Sequence, residues 1–236
     1  MTRVLTDFEN HLRSEILTGR ADPYELSSPR DELEKFRFFT RQVESFIDQA
    51  EQSEVESLRQ SVQHLPKDTQ DEFWMSYYPV HWDEIFRSTV RGSVVVSLAT
   101  FLETFVERLC YRVALVKKSE LSSANQKGSM LTRSRKFLQS VGNFQKPLLP
   151  AWDEIELFFK IRNVIVHNAG FLAKSKYKEL IENFCQSRTD IRFTYGFIEI
   201  EPEFLEFIIN QLVGFVDQLE NEFRLLCERT RKLEGA

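Results

Sequence analysis

Arg162, Asn163 and His167 stand close together in the run Phe158-Phe159-Lys160-Ile161-Arg162-Asn163-Val164-Ile165-Val166-His167-Asn168-Ala169-Gly170. Nearly every neighbour is apolar, so the run reads as a buried helix. An unpaired polar group inside such a helix costs a few kcal/mol. Three polar side chains that break the pattern together point to function rather than packing. Each type suits one task at a phosphate. The arginine is a non-titrating cation whose fork matches phosphate oxygens. The histidine takes or gives a proton. The asparagine holds an imidazole in one tautomer or contacts a phosphate oxygen.

On an ideal helix of about 100° per residue, Asn163 and His167 lie about 40° apart, and Arg162 lies about 140° from His167. One helix alone therefore brings Arg and His together poorly. The guanidinium bends round, the last turn distorts at Asn168, or two copies of the helix face one another across a two-fold axis and pool their side chains. The pooled arrangement suits RNA cleavage by the 2′-hydroxyl next to the scissile phosphate. That reaction needs a base, an acid and a fixed cation, and no metal.

Charge distribution favours a polyanion. The net charge is −5, yet residues 121 to 178 hold ten Lys and Arg against three acids, a local +7, which leaves −12 for the rest. A basic block on an otherwise acidic body suits an anion-binding face. The plainer reading is that Lys174, Lys176 and Lys178 cover a solvated helix.

The elements that must hold these residues are helical. Eight Gly and seven Pro in 236 residues disfavour a strand-and-turn architecture. Residues 3–19 carry Val4, Phe8, Leu12 and Ile16 at helical spacing, with Gly19 and Pro23 as stops. Residues 29–63 read as one long helix or two, striped by Phe36, Phe39, Val43, Phe46, Ile47, Val55 and Leu58. Residues 66–82 read as a short helix and a packed, aromatic-rich linker containing Pro79. The next helix, 83–117, is expected to be capped by Trp82 or Asp83 and to bury Val95, Leu98, Leu102, Phe105, Leu109, Val113 and Val116. A loop at 119–128, a helix at 129–140 and a Gly142–Pro150 connection follow. The motif helix starts after Pro150, with Asp153, Glu154 and Glu156 near its positive end, and stops at Asn168-Ala169-Gly170. A helix at 174–186, a hairpin at Ile191–Ile200 centred on Gly196, and a final helix from Pro202 to about 231 complete the chain. The expectation is an all-α antiparallel helical bundle with a small β-hairpin before the C-terminal helix. It divides into an N-terminal helical extension, residues 1–82, and a main bundle, residues 83–236.

Other classes are disfavoured. Cys110, Cys185 and Cys227 form no pair at disulfide or metal spacing, so a reducing cytoplasm is expected. His11, His64, His81 and His167 stand far apart, and no metal or cofactor is expected. The N-terminus lacks a signal-peptide pattern. The apolar stretch Val94–Val116 is interrupted by Glu103, Glu107, Arg108 and Arg112 and reads as a core helix rather than a membrane span.

Arg162-Asn163-x-x-x-His167, followed by Asn168 and Gly170, resembles the Arg-x(4–6)-His motif of HEPN domains, in which a polar residue follows the arginine. The Leu102-Glu103 pair on an earlier long helix, the Gly-centred hairpin Tyr195-Gly196-Phe197-Ile198 and the long terminal helix are similar as well, over residues 83–231. The resemblance implies a homodimer with both motifs at the interface. It also implies metal-independent endoribonuclease activity of the toxin or anti-phage kind, with RNA as substrate and a cognate antitoxin or a nucleotidyltransferase as further partner. Arg162 and His167 would be catalytic, Asn163 would support them, and Glu103 is a weaker transfer. Two alternatives stand beside it. One is a non-catalytic helical dimer in which the three residues form a structural network. The other is a nucleotide-binding accessory to a nucleotidyltransferase.

Overall fold

With few glycines and prolines to interrupt them, four helices run twenty residues or more. The computed structural model describes residues 3–19, 28–78, 80–120, 128–144 and 149–234. In chain order it contains α1 (Asp7–Thr18), α2 (Pro29–Val62), α3 (Lys67–Glu72), π-helical segments at Phe73–Tyr77 and Val80–Arg87, and α4 (Ser88–Lys117). Then come α5 (Met130–Ser140), α6 (Leu149–Asn168), a 3-10 turn at Leu172–Lys174, α7 (Lys178–Cys185), β1 (Ile191–Thr194), β2 (Phe197–Ile200) and α8 (Pro202–Glu234). The protein is all-α with one small hairpin before the C-terminal helix. Its residues fall into two compact units, Met1–Leu33 with Ala99–Leu157 and Asn210–Ala236, and Glu34–Leu98 with Phe158–Ile209. Residue 83, where a boundary was expected, falls inside the second of these.

In the first unit, Leu102, Leu109 and Val113 of α4, Leu138 of α5, Trp152 of α6 and Leu212, Phe215 and Leu219 of α8 are buried. The Trp152 and Phe215 rings meet edge to face at 4.9 Å. Helix α1 begins with a capping box. The Thr6 hydroxyl accepts from the Glu9 N–H at 3.2 Å, and the Glu9 carboxylate accepts from the Thr6 N–H at 3.0 Å. Arg13 closes the carbonyl end of α4, donating from Nε and Nη2 to the Val116 oxygen at 3.3 and 3.2 Å.

In the second unit, Ile47 of α2, Val94, Val95 and Leu98 of α4, Phe158, Ile161 and Val164 of α6, Ile181 of α7, Ile191 and Ile198 of the hairpin and Phe204 of α8 are buried. Gly92 lets α4 and α6 approach closely, since a Cβ there would sit 3.2 Å from Ile165 Cγ2. Arg91 is the unit's buried charge. It donates to Glu44 of α2 at 3.0 and 2.9 Å, to Glu201 at 2.9 Å and to the Ile200 carbonyl at 2.9 Å. That satisfaction is the condition on which a buried cation is tolerated.

Several expectations are corrected. Val4 and Phe8 are 92% and 57% exposed, and α1 packs through Leu5, Leu12, Ile16 and Leu17 instead. Helix α2 is a single helix, and Phe39 and Phe46 are 48% and 57% exposed, the packed side running through Leu33, Thr40, Ile47 and Val62. Thr40 occupies an interior position because its hydroxyl bonds the Phe36 carbonyl at 2.9 Å. The aromatic segment is π-helical rather than a linker, and Trp82 caps nothing: it lies within Val80–Arg87, stacked on Phe86 at 4.5 Å. The helix expected at 174–186 begins only at Lys178. Pro23, Pro79 and most of the 119–128 loop lie outside the described residues, as does the side chain of Asp83.

Candidate functional site

Helix α6 presents one side inward and the other to solvent. Phe158, Ile161 and Val164 are no more than 1% exposed. Lys160, Arg162 and Asn163 are half-buried, and Val166 and His167 are exposed. The expected burial therefore holds for the first part of the motif run and fails in its last turn. A helix packed along one stripe leaves the opposite stripe open, and no described residue covers it. The helix ends through two successive left-handed residues, Ala169 at φ 48° and Gly170 at φ 80°. The Gly170 N–H bonds the Val164 carbonyl at 3.2 Å, six residues back, and so closes the end of the helix. Glycine adopts this conformation freely, whereas Ala169 is strained by about 1 kcal/mol.

Arg162 and Asn163 are brought together: Nη1 donates to the Asn163 Oδ1 at 3.1 Å. Arg162 Nε is buried without a partner. No carboxylate pairs with this guanidinium among the described residues. In contrast, Arg91, Arg112, Arg135 and Arg188 each meet at least one acid. Glu103, the weaker candidate, is half-buried on α4 and belongs to the other compact unit. His167 makes no hydrogen bond to any described residue and lies open to solvent. Two of the three routes to an Arg–His pair are thus not taken within one chain. The guanidinium turns to Asn163, and α6 stays helical through Asn168.

The chain just after the motif is pinned to the hairpin. The Ile198 N–H donates to the Gly170 carbonyl at 3.0 Å, and the Leu172 N–H donates to the Gly196 carbonyl at 2.8 Å. The Phe171 and Phe197 rings pack with centroids 5.0 Å apart. Lys174 and Lys176 are exposed ahead of α7, at the end of the 3-10 turn and just after it, whereas Lys178 is exposed on the first turn of α7 and pairs with Glu182, so the plainer reading of a solvated helix holds for Lys178 alone of the three. Residues 158–178 contain Lys160, Arg162, Lys174, Lys176 and Lys178 and no acid. The part of the basic block nearest the motif therefore keeps its sign. Sequence reasoning treated the hairpin as scaffold and overlooked Tyr195 at its tip, 82% exposed. The signal available was Tyr-Gly at a tight turn that ordinarily takes Asn-Gly.

Other chemistries find less support. The three cysteines are buried, and burial pushes the Cys110 and Cys185 thiols up to about 11, leaving them poor nucleophiles at neutral pH. Among the described residues, no three His, Cys, Asp or Glu side chains gather as a metal site would require. His11 and His64 are exposed on surfaces away from any such cluster. Comparison of the chain with family models, with curated proteins and with solved structures finds no match.

Proposed function

We propose that this protein is a metal-independent endoribonuclease of the HEPN type, working as a homodimer in the role of a toxin or defence effector. One observation carries the reading. The half-buried Arg162 has a neutral amide and no acid as its partner, and an unbonded, exposed His167 follows at the open end of the same helix, within an acid-free basic stretch. A guanidinium left uncompensated by the fold is available to compensate a phosphate.

A second copy supplies what one chain lacks. With two motif helices facing across a two-fold axis, the cleft holds two arginines and two histidines. One imidazole removes the 2′-hydroxyl proton, and the 2′-oxygen attacks phosphorus. The bond from phosphorus to the 5′-oxygen breaks, and the other imidazole, protonated, gives its proton to that oxygen. Arg162 stabilises the added negative charge, with Asn163 fixing the guanidinium plane. The products are a 2′,3′-cyclic phosphate and a 5′-hydroxyl.

The test uses purified protein, chelator and a mixed single-stranded RNA. Cleavage with cyclic phosphate ends is expected from the unmodified chain. His167→Ala and Arg162→Ala each lower the rate on the order of a hundred-fold or more. A variant that cuts at the unmodified rate, or a chain that is monomeric by sedimentation while active, overturns the assignment. The competing reading is a non-catalytic helical dimer that binds a nucleotide or a protein partner. It draws on the Arg162–Asn163 bond, which a structural network would also contain, and it leaves the exposed His167 without a role.

A further inference from the structure

We infer that the hairpin tip, Tyr195 together with Lys174 and Lys176, is a docking surface for single-stranded RNA that positions substrate beside the motif helix. The inference rests on the nuclease reading for its substrate class and goes beyond it in naming a second contact and the strandedness of the ligand.

Tyr195 has no structural reason to be a tyrosine. Its side chain is 82% exposed, and it makes no ring contact or hydrogen bond with any described residue. Its backbone argues against it as well. The turn between Thr194 and Phe197 has two residues, Tyr195 at φ 51° and Gly196 at φ 87°, both left-handed. Two-residue hairpin loops of that form favour Asn-Gly, because a bulky L-residue at positive φ is strained. Neither packing nor backbone preference selects this ring, so a contact outside the folded chain is what remains to select it.

The turn that carries the ring is held firmly. The Gly196 carbonyl accepts from Leu172, and the Gly170 carbonyl accepts from Ile198. Phe171 lies under the turn so closely that a Cβ on Gly196 would sit 2.9 Å from its ring. Phe197, 42% exposed and packed on Phe171, is a second partly exposed ring of the same hairpin. The cations are in place too. Lys174 and Lys176 are exposed, and Lys176 Nζ sits 5.0 Å over the Tyr177 ring. The hairpin's own carboxylates, Glu199 and Glu201, are occupied by Arg192 and Arg91, so they do not oppose an incoming phosphate. Counting along the chain from His167 to Leu172 and across to the tip bounds the separation of Tyr195 from His167 at about 28 Å. A few nucleotides span that gap. An exposed aromatic on a fixed turn, with cations on the segment bonded to that turn, is the recognition pattern for unpaired bases and their backbone; in a duplex the bases are already stacked on one another.

The experiment uses the full chain carrying His167→Ala, so that RNA survives, and a fluorescein-labelled single-stranded oligoribonucleotide read by anisotropy across a salt series. Adding Tyr195→Ala weakens binding about ten-fold, while Tyr195→Phe binds like the parent. Lys174→Gln with Lys176→Gln flattens the slope of log affinity against log salt by about 1.4. A purely structural role for these residues would move neither the salt slope nor the phenylalanine rescue. The same RNA as a duplex gains nothing from Tyr195. If Tyr195→Ala binds as the parent does, or weakens duplex and single strand alike, the docking surface is overturned, and cleavage by the unmodified chain still decides the nuclease reading. If the parent binds in a Tyr195-dependent way but the unmodified chain cuts nothing, the surface stands and the nuclease reading falls. A parent that binds no RNA overturns the surface outright.

Discussion

Replacing Arg162 by Met separates a catalytic arginine from a structural one, because the two roles predict different signs of stability change. The substitution keeps most of the apolar stem and removes the charge. It loses the hydrogen bond to Asn163, worth about 1 kcal/mol for a half-exposed pair. It also removes the buried Nε–H that has no acceptor, relieving a cost of about 1–3 kcal/mol. The sum runs from neutral to about 2 kcal/mol of added stability, a melting temperature unchanged or raised by up to about 4–8 °C for a chain of this size. Arg91→Met is the control. It strips Glu44, Glu201 and the Ile200 carbonyl of their shared partner; Glu201 keeps Arg192, while the partly buried Glu44 carboxylate is left uncompensated. Breaking such a network costs about 3–5 kcal/mol, which lowers the melting temperature by about 10 °C. Calorimetry on both variants, with RNA cleavage followed on the same preparations, gives the comparison. Arg162→Met should melt at or above the unmodified temperature and be inactive. If it melts as low as Arg91→Met, Arg162 is a structural residue and the catalytic argument fails.

Two other outcomes follow from the geometry. Gly196→Ala places a methyl 2.9 Å from the Phe171 ring on a residue at φ 87°, so amide exchange of Ile191–Ile200 should accelerate and stability fall by about 1–3 kcal/mol; unchanged exchange would contradict the tight seat described for the hairpin. Cys110 and Cys185, with thiols pushed up to about 11 by burial, should react with a neutral-pH thiol reagent only after denaturation, and rapid labelling of the native chain would show that these helices open readily.

Periodicity revealed much of this fold because α8 and α4 are packed along stripes that their sequences mark without competition. Phe204, Ile208, Leu212, Phe215, Leu219, Phe223 and Leu226 are all buried, at the three- and four-residue spacing that a helix needs. Helix α2 misleads because it offers two stripes. Phe39 and Phe46 are seven apart, and so are Leu33, Thr40 and Ile47; only the second set is buried. The first set stays largely exposed even though Phe46 meets the Phe86 ring at 6.3 Å, so the difference between the sets is burial rather than contact. Hydrophobicity alone ranks phenylalanine above threonine, but the hydrogen bond of Thr40 to its own helix lets it lie inside. The π-helical turns around Trp82 carry no sequence signature, since they differ from α-helix only in where the hydrogen bonds close. At the site, the residue types and the helix stop were legible. Solvent access to His167 was not, because an apolar run such as Val164-Ile165-Val166 looks the same whether all its faces are covered or only one. Tyr195 was overlooked although Tyr-Gly at a tight turn was there to be read; what the sequence could not give was the exposure of its side chain.

The positions of the motif and the hairpin are set by the same few backbone bonds. The Gly170 N–H closes α6 onto Val164 while the Gly170 carbonyl receives Ile198, so one peptide unit on each side of this glycine fixes the end of the helix and the start of the second strand's seat. Leu172, two residues later, reaches the Gly196 carbonyl next to Tyr195. Between the stop and the tip there is no long loop to absorb error; each added bond narrows the range of separations between His167 and Tyr195. Enzymes that act on a flexible polymer gain most from such coupling, because holding a neighbouring nucleotide orients the reacting one and lowers the entropy that must be lost at the transition state. An arginine without an acid, an imidazole without a bond and a tyrosine without a contact are each a cost to the isolated chain. All three lie on α6 or on the hairpin bonded to the chain just after it, the placement that the proposed substrate-binding face would use.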